Sequence, residues 1–97
     1  MKAIQPISIW INGEQKTGEY LTVFCVYDNY ESQAQNCWQI NAKMLAEDGS
    51  DMKGEMLATG NLTISGQDYI NWGDQPAMSI NDWIYNWSAS QLNLVII

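Results

Sequence analysis

The stretch from Ile7 to Gly13 constrains the fold more than any other part of the chain. Ile7, Ile9 and Ile11 alternate with Ser8, Trp10 and Asn12, and Gly13 follows at once. Alternation with a period of two marks a strand with one buried face, and Asn-Gly tolerates the positive φ angles of a tight hairpin. A strand that reverses so sharply must pair antiparallel with what comes next. Tyr20 to Tyr27, YLTVFCVY, is apolar on both faces and rich in β-branched and aromatic types, which predicts a central strand inside a sheet. The polar run Asp28 to Gln35 predicts a longer loop. Asn36 to Leu45 then predicts a third strand with Trp38, Ile40, Ala42 and Met44 on one face. Asp48-Gly49-Ser50-Asp51, inside the acidic segment Glu47 to Glu55, predicts another turn. The strand beyond it turns Met56, Ala58, Leu62 and Ile64 inward, and Gly60 predicts a shift of register there.

After Gly66 the period changes. Ile80, Trp83, Ile84 and Trp87 recur at helical spacing, which predicts a helix from about Asn81 to Gln91 with Ser79 or Asn81 able to cap it. Gln67 to Trp72 reads as a further helical turn, and the closing LNLVII as a terminal strand or an apolar plug. Ninety-seven residues suffice for one hydrophobic core, so residues 1–97 are read as a single domain. The predicted class is α+β: a mostly antiparallel β-sheet or small β-sandwich with one C-terminal helix.

The chain holds no His and no Arg. Without imidazole there is no side chain whose ordinary titration falls near neutrality, no Ser/His or Cys/His pair and no imidazole metal ligand. Without guanidinium there is no planar fork for a phosphate or a guanine edge. The only cations are Lys2, Lys16, Lys43 and Lys53, scattered among eleven carboxylates for a net charge of −7, which argues against nucleic-acid binding. Charged residues make up 15% against a usual share of about 25%, so Asn, Gln, Ser and Thr must cover much of the surface. Such a surface repels other copies weakly at short range, which favours an assembly component. The N-terminal MKAIQPISIW lacks the pattern of a secretory signal and no apolar run approaches the roughly 20 residues of a membrane span, so the product is expected to stay where it is made.

Each residue set that suggests chemistry also has a plainer reading. One register of the second hairpin sets Cys25 opposite Cys37. The other matches Val23 with Ile40 and Cys25 with Trp38, buries more apolar area and turns Cys37 to the other face. Free thiols are therefore the expectation. Asp48, Ser50, Asp51 and Glu55 carry oxygen ligands at a spacing that matches no EF-hand loop, and an ordinary solvated turn explains them. Asp68, Asp74 and Asp82 beside Trp72 and Trp83 suggest a sugar site, but nothing fixes a carboxylate pair at working distance. Asn61-Leu62-Thr63 and Asn86-Trp87-Ser88 match the glycosylation sequon without an export signal to give it meaning. Trp38, Trp83 and Trp87 fit core-facing stripes. Trp10 and Trp72 fall where the pattern points outward or into a loop. They are either contact residues or covered by the helix and the sheet edge.

Three stretches, ISIWINGEQKTGEYL, GNLTISGQDYINWG and NDWIYNWSASQLNLVI, cover most of the chain. Their succession of strand, glycine turn, DYxxW and a Trp-bearing terminal helix resembles small virion structural proteins of tailed bacteriophages. The resemblance implies a non-enzymatic building block, present in many copies, that decorates the head or forms part of the tail or baseplate. It implies no catalytic residue and no cofactor. The partners expected are other virion proteins or copies of the chain itself in a homo-oligomeric assembly, with no nucleic acid and no membrane, and the location is the virion after synthesis in the host cytoplasm. The apolar end Val95, Ile96 and Ile97 either completes the domain's own sheet or docks on a neighbour. Together with Trp10 and Trp72 these three are the candidate interface residues. The competing reading is a small module that binds carbohydrate on a host surface through Trp72, Gln67, Asp68, Asn71 and Asp74.

Overall fold

Four strands and two helices follow one another along the chain in a computed structural model that describes Met1 to Ile97. The strands are β1 (Lys2–Ile11), β2 (Glu14–Asp28), β3 (Gln33–Leu45) and β4 (Asp51–Ser65), and the helices are α1 (Gly66–Gly73) and α2 (Ile80–Gln91). The strands form one antiparallel sheet in the order β1-β2-β3-β4. The class is α+β, with a single sheet in place of a sandwich and with α1 as a second helix beside the C-terminal one.

Local chemistry makes each reversal. Asn12 and Gly13 both take positive φ, 50° and 81°, and the ladder resumes at once with Ile11 opposite Glu14. Between β2 and β3 the side chains build the turn. The Asn29 Oδ1 accepts the backbone N–H groups of Glu31, Ser32 and Gln33, and the Asp28 carboxylate accepts that of Tyr30 at 2.8 Å. Between β3 and β4, Asp48 accepts both the backbone N–H and the hydroxyl of Ser50, which is the solvated turn expected of that segment.

The β2–β3 register matches Leu21 with Ile40, Val23 with Trp38 and Cys25 with Asn36, two residues from the expected Val23–Ile40 match. A slip of two preserves which face each side chain takes, because the pleat has a period of two. Phe24, not Cys25, stands opposite Cys37, and both thiols are free. The shift expected at Gly60 falls instead at Leu57, which lies between the paired Met56 and Ala58 and is buried. Gly60 pairs regularly with Trp38, and its role is close approach: a Cβ there would meet the Trp38 indole at 2.7 Å. The bulge turns Met56 outward, 50% exposed, contrary to its expected inward position. Met44 is also exposed, because β3 runs on past its last pairing with β2 at Asn41.

The core lies between one face of the sheet and the helices. Ile4, Leu21, Val23, Ala34, Ile40 and Ile64 come from the strands, and Ile84, Tyr85 and Ala89 from α2, with Tyr69, Trp38, Trp83 and Trp87 packed around them. The helix read in the sequence is present, but its buried stripe is Ile84, Tyr85, Ser88 and Ala89, and Trp83 and Trp87, expected to face the core with Ile80 and Ile84, lie half-buried on its flank. Lys2 pairs with Asp82 at 2.6 Å and sits 5.7 Å from the centre of the Tyr85 ring, tying β1 to α2. Gly60→Ala is expected to destabilise the fold by about 1–3 kcal/mol, since the added methyl must displace an indole packed against the core. A lowered urea midpoint with an unchanged slope checks this.

Candidate functional site

The side of the sheet away from the helices is uncovered, and its composition follows from the register. Thr22, Gln39 and Thr59 form one cross-strand row, Phe24, Cys37 and Asn61 the next, and Tyr27, Gln35 and Thr63 a third. Phe24 is 44% and Tyr27 60% exposed. The strand β2 lies inside the sheet as expected, yet its outer face, though apolar, meets no second layer. No Asp, Glu or Lys occurs in Tyr20 to Tyr27, Gln33 to Ala42 or Met56 to Ser65. A wide part of this face is therefore free of charge on a chain of net charge −7. Trp10, 71% exposed and opposite Gln15, extends the face toward the β1–β2 turn.

The shape agrees. The radius of gyration is 14.7 Å, and a globular chain of this length is expected at about 12.5 Å. The accessible surface is 6163 Å², against about 5,600 Å² for a monomer of this mass. Only 14 of 97 residues are buried, so the molecule leaves uncovered much that a self-sufficient domain would pack.

The other candidates separate. Trp72 packs against the core, its ring edge-on to Tyr69 with centroids 6.3 Å apart, and its indole N–H is buried without an acceptor. It is covered, whereas Trp10 is open. The C-terminal segment completes the chain's own sheet. Asn93, at φ 57°, ends α2 in a Schellman turn, with Leu94 N–H donating to the Ala89 carbonyl and Asn93 N–H to that of Ser90. The chain then runs antiparallel to the outer edge of β1, where Gln5 N–H donates to the Val95 carbonyl and Ile97 N–H to that of Ala3. Ile96 is half-buried, while Val95 and Ile97 stay exposed.

The carboxylates considered for a sugar site have separate partners. Asp68 accepts the Trp87 indole N–H at 3.2 Å, Asp82 holds Lys2, and Asp74 ends α1. Gln67 is engaged with Asn71. Asp28 joins the β2–β3 turn to α1. Besides closing the β2–β3 turn, it accepts the Tyr69 hydroxyl of α1 at 2.6 Å. That hydrogen bond, with desolvation and the nearby negative charge added, pushes the Tyr69 phenol from 10.0 up to about 12. The sequence reading missed Phe24, Val26 and Tyr27 as exposed residues. The signal was present in their neighbours, because a strand flanked by Gln35, Gln39, Thr59 and Thr63 on one side has no apolar layer to share there.

Neither a family model, nor a curated protein, nor a solved structure matches the chain.

Removing Val95 to Ile97 is expected to cost about 2–4 kcal/mol, from two backbone hydrogen bonds and the half-buried Ile96, read as a lower urea midpoint. The Tyr69 phenol is expected to ionise near pH 12 in an alkaline titration followed by phenolate absorbance, a step that Tyr69→Phe removes. Its folded pKa is raised, so the stabilisation is complete below pH 10 and is lost as pH rises through about 12. Tyr69→Phe should abolish that part of the alkaline loss.

Proposed function

We propose that this chain is a non-enzymatic structural component of a tailed-bacteriophage particle, in the head decoration or in the tail or baseplate, and that it works by contact through the uncovered face of its sheet. The observation that carries the contact role is the uncharged outer face with Phe24, Tyr27 and Trp10 exposed upon it. Exposed aromatic groups on a rigid sheet bury large area at little entropic cost, and a face without charge leaves no unpaired ion behind when covered. The particle role is supported by the three sequence stretches that resemble small virion proteins and by the absence of imidazole and guanidinium chemistry. The carbohydrate-binding alternative has less support, because Trp72, on which it turned, packs inward.

Mass spectrometry of particles purified from the phage that encodes the chain should find it at a copy number in the tens or above. Phe24→Glu should leave the far-ultraviolet circular dichroism unchanged and sharply reduce incorporation, with Trp10→Ala reducing it less. Absence from the particle, or turnover of a specific compound by the pure protein, would remove the proposal.

A further inference from the structure

The two edges of the sheet are treated differently. The first half of the β1 edge is guarded three ways: the C-terminal segment pairs with residues 3 to 5, Pro6 removes a donor, and the ladder is irregular between Ala3 and Ile7, which leaves only the five residues Ile7 to Ile11 open. The edge of β4 has none of these over its second half. From Ala58 to Ser65 the pairing with β3 runs unbroken, no strand lies on the outer side, and the segment ATGNLTIS carries no charge and no proline. A long, regular, uncharged edge is a template for another strand.

We propose that this edge takes the same edge of a second copy of the chain, antiparallel, joining two sheets into one continuous sheet. The proposal rests on the reading of the chain as an assembly component and names the partner. Two arguments commit it to a second copy. The first is the pattern itself. A two-fold axis normal to the sheet must set each residue opposite one on the same face, and an axis through Asn61 matches Thr59 with Thr63, and Ala58 with Ile64. Polar then meets polar on the open side, and apolar meets apolar on the helix side. The second is charge. Two copies of net charge −7 repel each other, and Ala58 to Ser65 pair with no charged residue inside the paired segment. The pairing also extends the uncovered face across both copies. One strand edge is a small interface, which sets the expected dissociation constant in the micromolar range.

Sedimentation velocity across a concentration series should show the unaltered chain passing from monomer to dimer. Asn61→Lys and Asn61→Asp, on the open face and expected to keep the native circular dichroism, should each weaken dimerisation by about tenfold or more through like charges placed opposite one another. An equimolar mixture of the two should restore a heterodimer. In the unaltered chain, amide protection within Ala58 to Ser65 should rise with protein concentration, which tests the edge without any substitution. A chain that stays monomeric, variants that dimerise like the original, a mixture that recovers nothing, or protection that does not depend on concentration would each overturn the pairing. A monomer still found in particles removes only this inference, and a dimer absent from particles removes only the virion role.

Discussion

The governing constraint is coverage: one α1 turn pair and a three-turn α2 must shield a sheet of four strands, and they reach only one side of it. Burying apolar surface is the main favourable term in folding, at about 25 cal/mol per Å², and the covered side supplies it through Leu21, Val23, Ile40, Ile64, Ile84 and Tyr85. The other side has no element left to cover it. Its composition reflects this, with Thr, Gln or Asn in each of the three cross-strand rows and aromatic groups from β2 left exposed among them. The contact role proposed above rests on that imbalance between sheet area and helix area.

On the covered side, polar groups hold the layers in place. Asp28 joins the β2–β3 turn to α1, Asp68 joins α1 to α2 through Trp87, and Asp82 joins α2 to β1 through Lys2. Each of these three carboxylates thus joins two elements of the fold. At the core, Asn36 and Ser88 are buried with no hydrogen-bond partner, a cost of about 1–3 kcal/mol each that the surrounding packing must offset.

The strands were legible because their signals are local. Alternation over Ile7 to Ile11, the Asn12-Gly13 reversal and the three-four spacing from Ile80 to Trp87 depend on a few neighbouring residues, and the structure keeps all three. What escaped depends on distant partners. The β2–β3 register slipped by two because either match keeps Leu21 and Val23 on the covered face, so hydrophobic pattern cannot separate them. The bulge at Leu57 was hidden because Met56, Leu57 and Ala58 are all apolar and any of them suits an inward position. Exposure of Phe24 depends on the lack of a layer above it, which no residue of β2 records. Of the candidate contact residues, Trp10 kept its outward position, Trp72 was claimed by the helix layer, and Asn93 decided between the two fates of the C-terminus by turning the chain back onto β1.

That last turn also sets a valency. A domain with two bare strand edges propagates, each added copy offering a fresh end, and the outcome is a filament without a natural stop. Here Val95 to Ile97 occupy the outer edge of β1 at residues 3 to 5. On the pairing proposed above, the β4 edge is used up by one added copy, and further growth would start from the flat face, normal to the sheet, giving layers rather than a ribbon.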